Sequence, residues 1–195
     1  MSNASIPGTS NQVARFLAPE THRGAVFATT LYAQPYNIDA TGFYFHNADD
    51  YRTRSEGLRD CYGSPVEEFE IQYIDGDDAQ LFEACGINQC NLDQWFDDIE
   101  TLDDREKVAL YYLTADAGYT VDNAMDKTDD VCLYEGRLQE AAEELFDEIY
   151  AHDIPETLRC YIDYDKFARD CEMGGDMTEF RFDGTTWTCT NASGI

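Results

Sequence analysis

Glu68-Phe69-Glu70-Ile71-Gln72-Tyr73-Ile74-Asp75-Gly76-Asp77-Asp78 changes its period halfway along. Phe69, Ile71 and Tyr73 alternate with Glu68, Glu70 and Gln72, which is the pattern of a strand with one wet face. At Asp75 the alternation ends. Asp75-Gly-Asp-Asp78 reads as a turn running into a helix start, and Leu92, Trp95, Phe96 and Ile99 then recur at helical spacing. A strand before this turn and helices after it predict an α+β chain.

Working outward, Ala25 to Ala33 and Gly42 to Phe45 are β-branched and aromatic and read as further strands of the same small sheet. Downstream, Val108, Tyr111, Tyr112 and Ala115 repeat the helical spacing, so residues 76–128 read as a helical region. Val131 to Tyr134 is strand-like. Leu138 to Ala151 is the clearest amphipathic helix, with Leu138, Ala142, Leu145 and Ile149 in one stripe. Leu158 to Ile162 reads as a strand, Tyr164 to Met173 as a helix stopped by Gly174-Gly175, and Thr178–Phe182 with Thr186–Cys189 as a hairpin around Asp183-Gly184. The expected architecture is an elongated chain of three small domains: an N-terminal sheet over 25–75, a central helical unit over 76–130 and a C-terminal mixed sheet and helix unit over 131–195. Residues 1–24 are expected to form a flexible extension.

The chain has 195 residues, and 43% of them are hydrophobic and 13% aromatic, which is rich enough for a packed core. Against 13 Lys and Arg stand 40 Asp and Glu, a net charge of −27. Affinity for nucleic acid comes mainly from cationic side chains that neutralise phosphates, so direct nucleic-acid binding is disfavoured, and an acidic membrane surface is disfavoured with it. No window approaches the roughly 18 apolar residues of a spanning helix, and the first residues lack a secretory apolar segment, so the expected compartment is the cytoplasm.

Seven cysteines, an odd number scattered along the chain, fit reduced thiols better than a disulfide framework. Cys85-Gly-Ile-Asn-Gln-Cys90 has a spacing that could seat zinc, but no second Cys or His pair completes four ligands. Neither Asp75 to Asp78 nor Asp122 to Asp130 has the ligand order of an EF-hand loop. No metal or cofactor is expected. The sequence lacks a phosphate-binding glycine loop, a nucleophile elbow and a His-Glu-x-x-His motif, and His22, His46 and His152 stand apart. Forty carboxylates offer many acid pairs and single out none, so a carboxylate-pair hydrolase is a rival reading and the expected protein is not an enzyme.

The acids are patterned more tellingly than their number. Between Asp75 and Asp104 there is no Lys or Arg, and the expected acidic surface there comprises Asp75, Asp77, Asp78, Asp93, Asp97, Asp98, Asp103 and Asp104, continued by Asp116. In the amphipathic helix, Glu140, Glu144 and Glu148 stand at i, i+4 and i+8, beside Glu143 and Asp147. Like charges at that spacing cost a few tenths of a kcal/mol per pair, so local stability does not favour them. Residues 1–24 hold Arg15 and Arg23 against Glu20, so the remainder carries about 28 net negative charges. At one charge per about 1.7 Å, duplex DNA shows as many over about 48 Å, roughly fourteen base pairs. An elongated protein could present them as a line against a basic cleft, whereas a compact globule would disperse them.

The residues at the C-terminal end narrow the reading. Ile154-Pro-Glu-Thr-Leu-Arg-Cys-Tyr-Ile-Asp-Tyr-Asp-Lys-Phe-Ala-Arg-Asp170 and Glu172-Met-Gly-Gly-Asp-Met-Thr-Glu179 closely resemble the terminal signature of the ArdA antirestriction proteins. Glu140 to Tyr150 is similar to the acidic and apolar helix before it in that family, and Leu110 to Leu113, Gly118-Tyr119 and Asp122 to Ala124 are similar to its central helices. The resemblance is specific over about 108–182, weaker over 25–107 and absent over 1–24. It implies an elongated three-domain protein, usually a homodimer, that mimics bent duplex DNA in the DNA-binding groove of type I restriction–modification enzymes and so protects incoming mobile DNA. It also implies a dimer contact near the antirestriction motif, which here would involve Val131, Leu133, Tyr134, Leu145 and Ile149. The Asp75 to Asp104 run departs from the family pattern. An acidic adaptor, acting on another defence component or on a histone-like protein, is the alternative.

Overall fold

The computed structural model describes residues 29–195. The expected extension and the first residues of the expected strand, 25–28, lie outside them. Two small antiparallel sheets with helices between and beyond them make an α+β fold.

The first sheet has β1 (Thr30–Pro35) at its centre, between β2 (Phe43–Phe45) and β3 (Phe69–Asp75). Leu31 lies opposite Phe45 and Tyr73, and Ala33 opposite Phe43 and Ile71. Directly opposed residues share a face, so Leu31, Ala33, Phe45, Phe69 and Ile71 are buried together on one side. On the wet side the Tyr32 and Tyr44 rings pack with centroids 4.8 Å apart. The alternation in β3 therefore has the predicted consequence.

Between β2 and β3 runs α1 (Ala48–Gly57), which no apolar periodicity in the sequence announces. It buries no residue completely, so no apolar stripe marks it; Tyr51 alone reaches Phe43, Phe45 and Phe69. Its ends carry the signal instead. The Asn47 side chain accepts from the Asp50 N–H at 2.8 Å, Asp49 and Asp50 occupy the first turn, and Arg54 pairs with Asp50 one turn later.

The central region comprises α2 (Ala79–Ala84), α3 (Leu92–Gln94), α4 (Asp104–Tyr111) and α5 (Val121–Met125). Two of these helices widen into π turns, at Trp95–Ile99 and Tyr112–Asp116. There the Glu100 N–H reaches Trp95 O at 2.8 Å and the Ala117 N–H reaches Tyr112 O at 3.0 Å. The Thr114 hydroxyl donates to Leu110 O at 2.8 Å, occupying a carbonyl beside the widened turn. As the spacing predicts, Leu92, Trp95, Ile99, Val108 and Tyr112 are buried; Ala115, placed in the same stripe, is exposed. Asp103 caps α4 through the Arg105 and Glu106 N–H groups, and Glu106 accepts from the Asp103 N–H in return.

The second sheet has the order β4-β6-β5, from β4 (Leu133–Glu135), β5 (Thr178–Phe182) and β6 (Thr185–Cys189). Its hairpin turns on Asp183 and Gly184, with φ of 46° and 75°, as the Asp-Gly pair predicts. Phe180 and Phe182 pack on Tyr111 and Tyr112 of the central helices, so a single apolar cluster runs from Leu31 through Trp95 to Cys189. On the other face of this sheet lie α6 (Leu138–Ile149) and α8 (Tyr164–Gly174), packed antiparallel around Leu138, Ala142, Ala168 and Met177. The stripe of α6 is buried at Leu138 and Ala142 and opens toward its end, where Ile149 is 45% exposed. Gly175 ends α8 in the left-handed conformation, at φ 78°.

One predicted element is corrected. Leu158 to Ile162 is not a strand: Glu156–Arg159 forms a short helix, α7, and the Tyr161 and Ile162 N–H groups continue as turns onto Leu158 O and Arg159 O. Pro155 fixes the backbone before the first turn, the Arg159 guanidinium donates back to Ala151 O at 2.7 Å, and no sheet edge lies alongside to supply a ladder.

Candidate functional site: the acidic surface

The α6 helix concentrates the acids most strongly. Its apolar stripe must face α8, which leaves Glu140, Glu143, Glu144, Asp147 and Glu148 in solvent. Glu140 accepts from the Arg137 N–H at 3.0 Å, and Asp147 accepts from the Tyr164 hydroxyl at 2.6 Å. Among the described residues none of the five lies in an ion pair with Lys or Arg. Their field reaches the neighbouring phenols. The Tyr164 pKa is raised by its hydrogen bond to Asp147, with partial desolvation and the charges of Asp147 and Glu143 adding. That of Tyr134 is raised by partial desolvation and then by Glu144, Glu140 and Glu143.

The central acids divide into two sets. Asp75, Asp77, Asp97, Asp98, Asp103, Asp104 and Asp116 are exposed, Asp97 and Asp98 on the first π turn and Asp116 at the end of the second. The Asp116 pKa is raised by partial desolvation of its carboxylate rather than by neighbouring acids. Asp78 and Asp93, by contrast, are neutralised. Lys107 on α4 meets Asp78 at 2.7 Å with both side chains about 15% exposed, and Arg52 on α1 meets Asp93 at 2.6 Å. The absence of Lys and Arg between Asp75 and Asp104 predicts no neutralisation there. The fold corrects that by bringing cations from 41 and 29 residues away in sequence.

Other cations are directed elsewhere. Arg59 donates to Glu56 O and Leu58 O, Arg105 to Leu133 O, Arg159 to Ala151 O and Arg181 to Gly184 O. Lys127 sits over the Tyr119 ring. Among the described residues, the carboxylates within ion-pair distance of Lys or Arg are Asp49, Asp50, Asp78 and Asp93. The arginines that bond carbonyls stiffen turns and helix ends without cancelling surface charge. A single sequence gives no signal for this choice, because a guanidinium suits a carbonyl as well as a carboxylate.

The residues expected at a dimer contact are also divided. Val131 and Leu133 lie in the apolar cluster of the chain itself, Tyr134 and Leu145 are half-buried, and Ile149 is open. Tyr150, Leu158 and Tyr161, which follow Ile149 in the chain, are exposed as well, the last 81%.

All seven cysteines are free thiols, and burial pushes Cys85 up to about 12. Among the described residues no group of three or more His, Cys, Asp and Glu is placed to hold a metal ion, and no helix is long and apolar enough to cross a membrane.

No curated protein and no solved structure matches the chain. A family model described as antirestriction protein (ArdA) matches residues 31–183, which takes in nearly all of the first sheet, the central helices, the acidic α6 and strands β4 and β5 of the second sheet. With most of its length covered by that model, this chain belongs to the ArdA family of antirestriction proteins.

Proposed function

We propose that the protein is a non-enzymatic mimic of duplex DNA that occupies the basic DNA-binding cleft of a type I restriction–modification enzyme in the cytoplasm. Family membership supports antirestriction. The observation that carries the mechanism is the disposal of the cations: arginines bond carbonyl oxygens while carboxylates of α6 and of the π turns stay unpaired. Such carboxylates accept charge-assisted hydrogen bonds from Lys and Arg, and binding releases the ions condensed on both surfaces. Affinity then falls steeply with salt, as it does for DNA.

The same reading takes the protein as a homodimer of elongated subunits, each a series of three small units, joined near Ile149, Tyr150, Leu158 and Tyr161. Each of these large apolar groups stands exposed, Ile149 and Tyr150 at the C-terminal end of α6 and Leu158 and Tyr161 in the segment that follows it. Sedimentation of the parent chain and of Leu158→Asp/Tyr161→Asp tests it: the parent sediments as twice the chain mass and the variant as a single chain.

Titrating a purified type I restriction enzyme with the protein, with and without competing unmodified duplex, tests the mechanism. The mimic inhibits at near-stoichiometric ratio, competes with duplex of any sequence, and weakens as salt rises. An acidic adaptor is not competed by nonspecific duplex, and a hydrolase turns over catalytically.

A further inference from the structure

A cleft of about 320 Å³ opens where the central helices meet the hairpin of the second sheet. Its floor is apolar, made by Val108 of α4, Phe182 of β5 and the half-buried Trp187 of β6. Its mouth carries the exposed carboxylates of Asp77, Asp104 and Asp183. The Asp183 N–H donates to the Gln80 side chain at 2.7 Å, which ties the hairpin turn to α2 and fixes that edge of the mouth.

Two cations also border the cleft: Lys107 is neutralised by a carboxylate, whereas Arg105 keeps its charge but is tied to a backbone carbonyl. Lys107 is held by Asp78 at 2.7 Å, and Arg105 donates to Leu133 O at 2.8 Å. The mouth therefore keeps three carboxylates with no ion-pair partner among the described residues. An aromatic floor below a ring of carboxylates suits one chemical type: a cation on an apolar stem. A guanidinium fits best, because its plane stacks on an indole face while its edges donate to carboxylates, and its methylene stem covers Phe182 and Val108. A cleft at the small end of the ligand-pocket range accommodates one such side chain and excludes a folded segment.

We propose that this cleft is a socket for a single arginine side chain projecting from the basic surface of the inhibited enzyme, adding a fixed anchor to the diffuse attraction of the acidic surface. The inference rests on the mimic reading, but it differs from it in a way that can be measured: diffuse attraction depends on charge alone, whereas the socket depends on Trp187 and on where two of the charges stand.

The first experiment compares full-length variants in the titration of a purified type I restriction enzyme. Trp187→Ala leaves the net charge unchanged, and the socket predicts inhibition about tenfold weaker. Asp104→Asn/Asp183→Asn at the mouth also weakens inhibition about tenfold, whereas Asp165→Asn/Asp170→Asn on α8, with the same change of charge, alters it less than about twofold. Equal behaviour of the two double variants overturns the socket. If duplex still competes and salt still weakens inhibition, the mimic reading stands without it; if those fail as well, the mimic reading itself is lost.

The second experiment needs no enzyme and no altered fold. N-acetyl-arginine amide, titrated into the nitrogen-labelled parent chain, is expected to shift the indole N–H signal of Trp187 and leave that of the buried Trp95 in place. The citrulline analogue, of the same shape without charge, is expected to shift neither. A shift of Trp187 by both compounds, or by neither, overturns the proposal.

Discussion

The α6 helix and the segment from Asp75 to Asp104 look alike in sequence, each a run of acids without a cation, yet the fold treats them differently. In the central segment Lys107 and Arg52 arrive from other elements and neutralise Asp78 and Asp93. On α6 the acids meet hydrogen-bond donors, the Arg137 N–H and the Tyr164 hydroxyl, which orient a carboxylate without removing its charge. Local composition thus overstates the free charge of the central segment and describes that of α6 correctly. For Asp78 the difference lies in position: it precedes α2 where α2 packs on α4, so its carboxylate needs a partner, whereas the outer side of α6 faces water; the Arg52–Asp93 pair is a solvent-exposed bridge between α1 and α3.

The largest expected effect comes from breaking this contrast on the α6 side. Replacing Glu140, Glu143, Glu144, Asp147 and Glu148 together by their amides is expected to weaken inhibition of a type I enzyme by roughly a hundredfold or more at low salt. The same variant is expected to melt higher than the parent, because like charges at i, i+4 no longer repel. Inhibition titrations and thermal melts on one sample check both. Any single amide among Asp97, Asp98, Glu144 and Asp147 is expected to change inhibition by less than about twofold; abolition by one of them in a folded protein would contradict distributed binding.

On the central side, Lys107→Met leaves Asp78 nearly buried and unpaired, with an expected cost of about 3 kcal/mol in urea unfolding. Asp78→Asn/Lys107→Met removes both charges and is expected to recover much of that loss. A cost near zero for the single change would show the pair to be solvated in solution.

Arg52→Ala sharpens the contrast with the buried pair. Arg52 and Asp93 are more than half exposed or close to it, so the expected cost is within about 1 kcal/mol and shrinks in salt. A slight gain in inhibition is expected with it, since Asp93 is freed.

The smallest effect is a pH dependence. The folded pKa of Tyr164 lies above its ordinary value of about 10, so the phenol contributes stability that is complete below that pH and is lost as pH rises through the folded value. Tyr164→Phe is expected to be less stable than the parent at pH 8, with the difference closing above pH 10. Asp60 runs the other way. Its carboxylate accepts from the Ser64 and Tyr62 N–H groups, and its pKa is lowered chiefly by the Ser64 bond, so its contribution is present above the ordinary carboxylate range and is lost as pH falls through the folded value. Unfolding curves of Asp60→Ala at pH 7 and pH 3 are expected to differ from those of the parent at pH 7 and converge toward them at pH 3.

Some of the fold is legible because the residues carry their own geometry. Alternation in Phe69 to Tyr73 makes β3, the Asp183-Gly184 pair makes the hairpin, and the spacing of Leu138, Ala142 and Leu145 makes α6. The helix α1 escapes because it buries almost nothing, and its signal sits in the Asn47 cap rather than in a stripe. The segment from Leu158 to Ile162 misleads because β-forming side chains are necessary for a strand but not sufficient, and Pro155 starts a turn where no neighbouring strand waits.

For the acidic surface the division is sharper. Sequence alone determined the size of the charge, its concentration on one face of α6 and the resemblance to an antirestriction family. Tertiary structure alone decided which carboxylates remain unpaired, which arginines bond carbonyls instead, and that Val108, Phe182 and Trp187 meet beneath Asp77, Asp104 and Asp183. Charge is a property of each residue by itself, whereas neutralisation and shape are properties of pairs, and pairs distant in sequence exist only once the chain has folded.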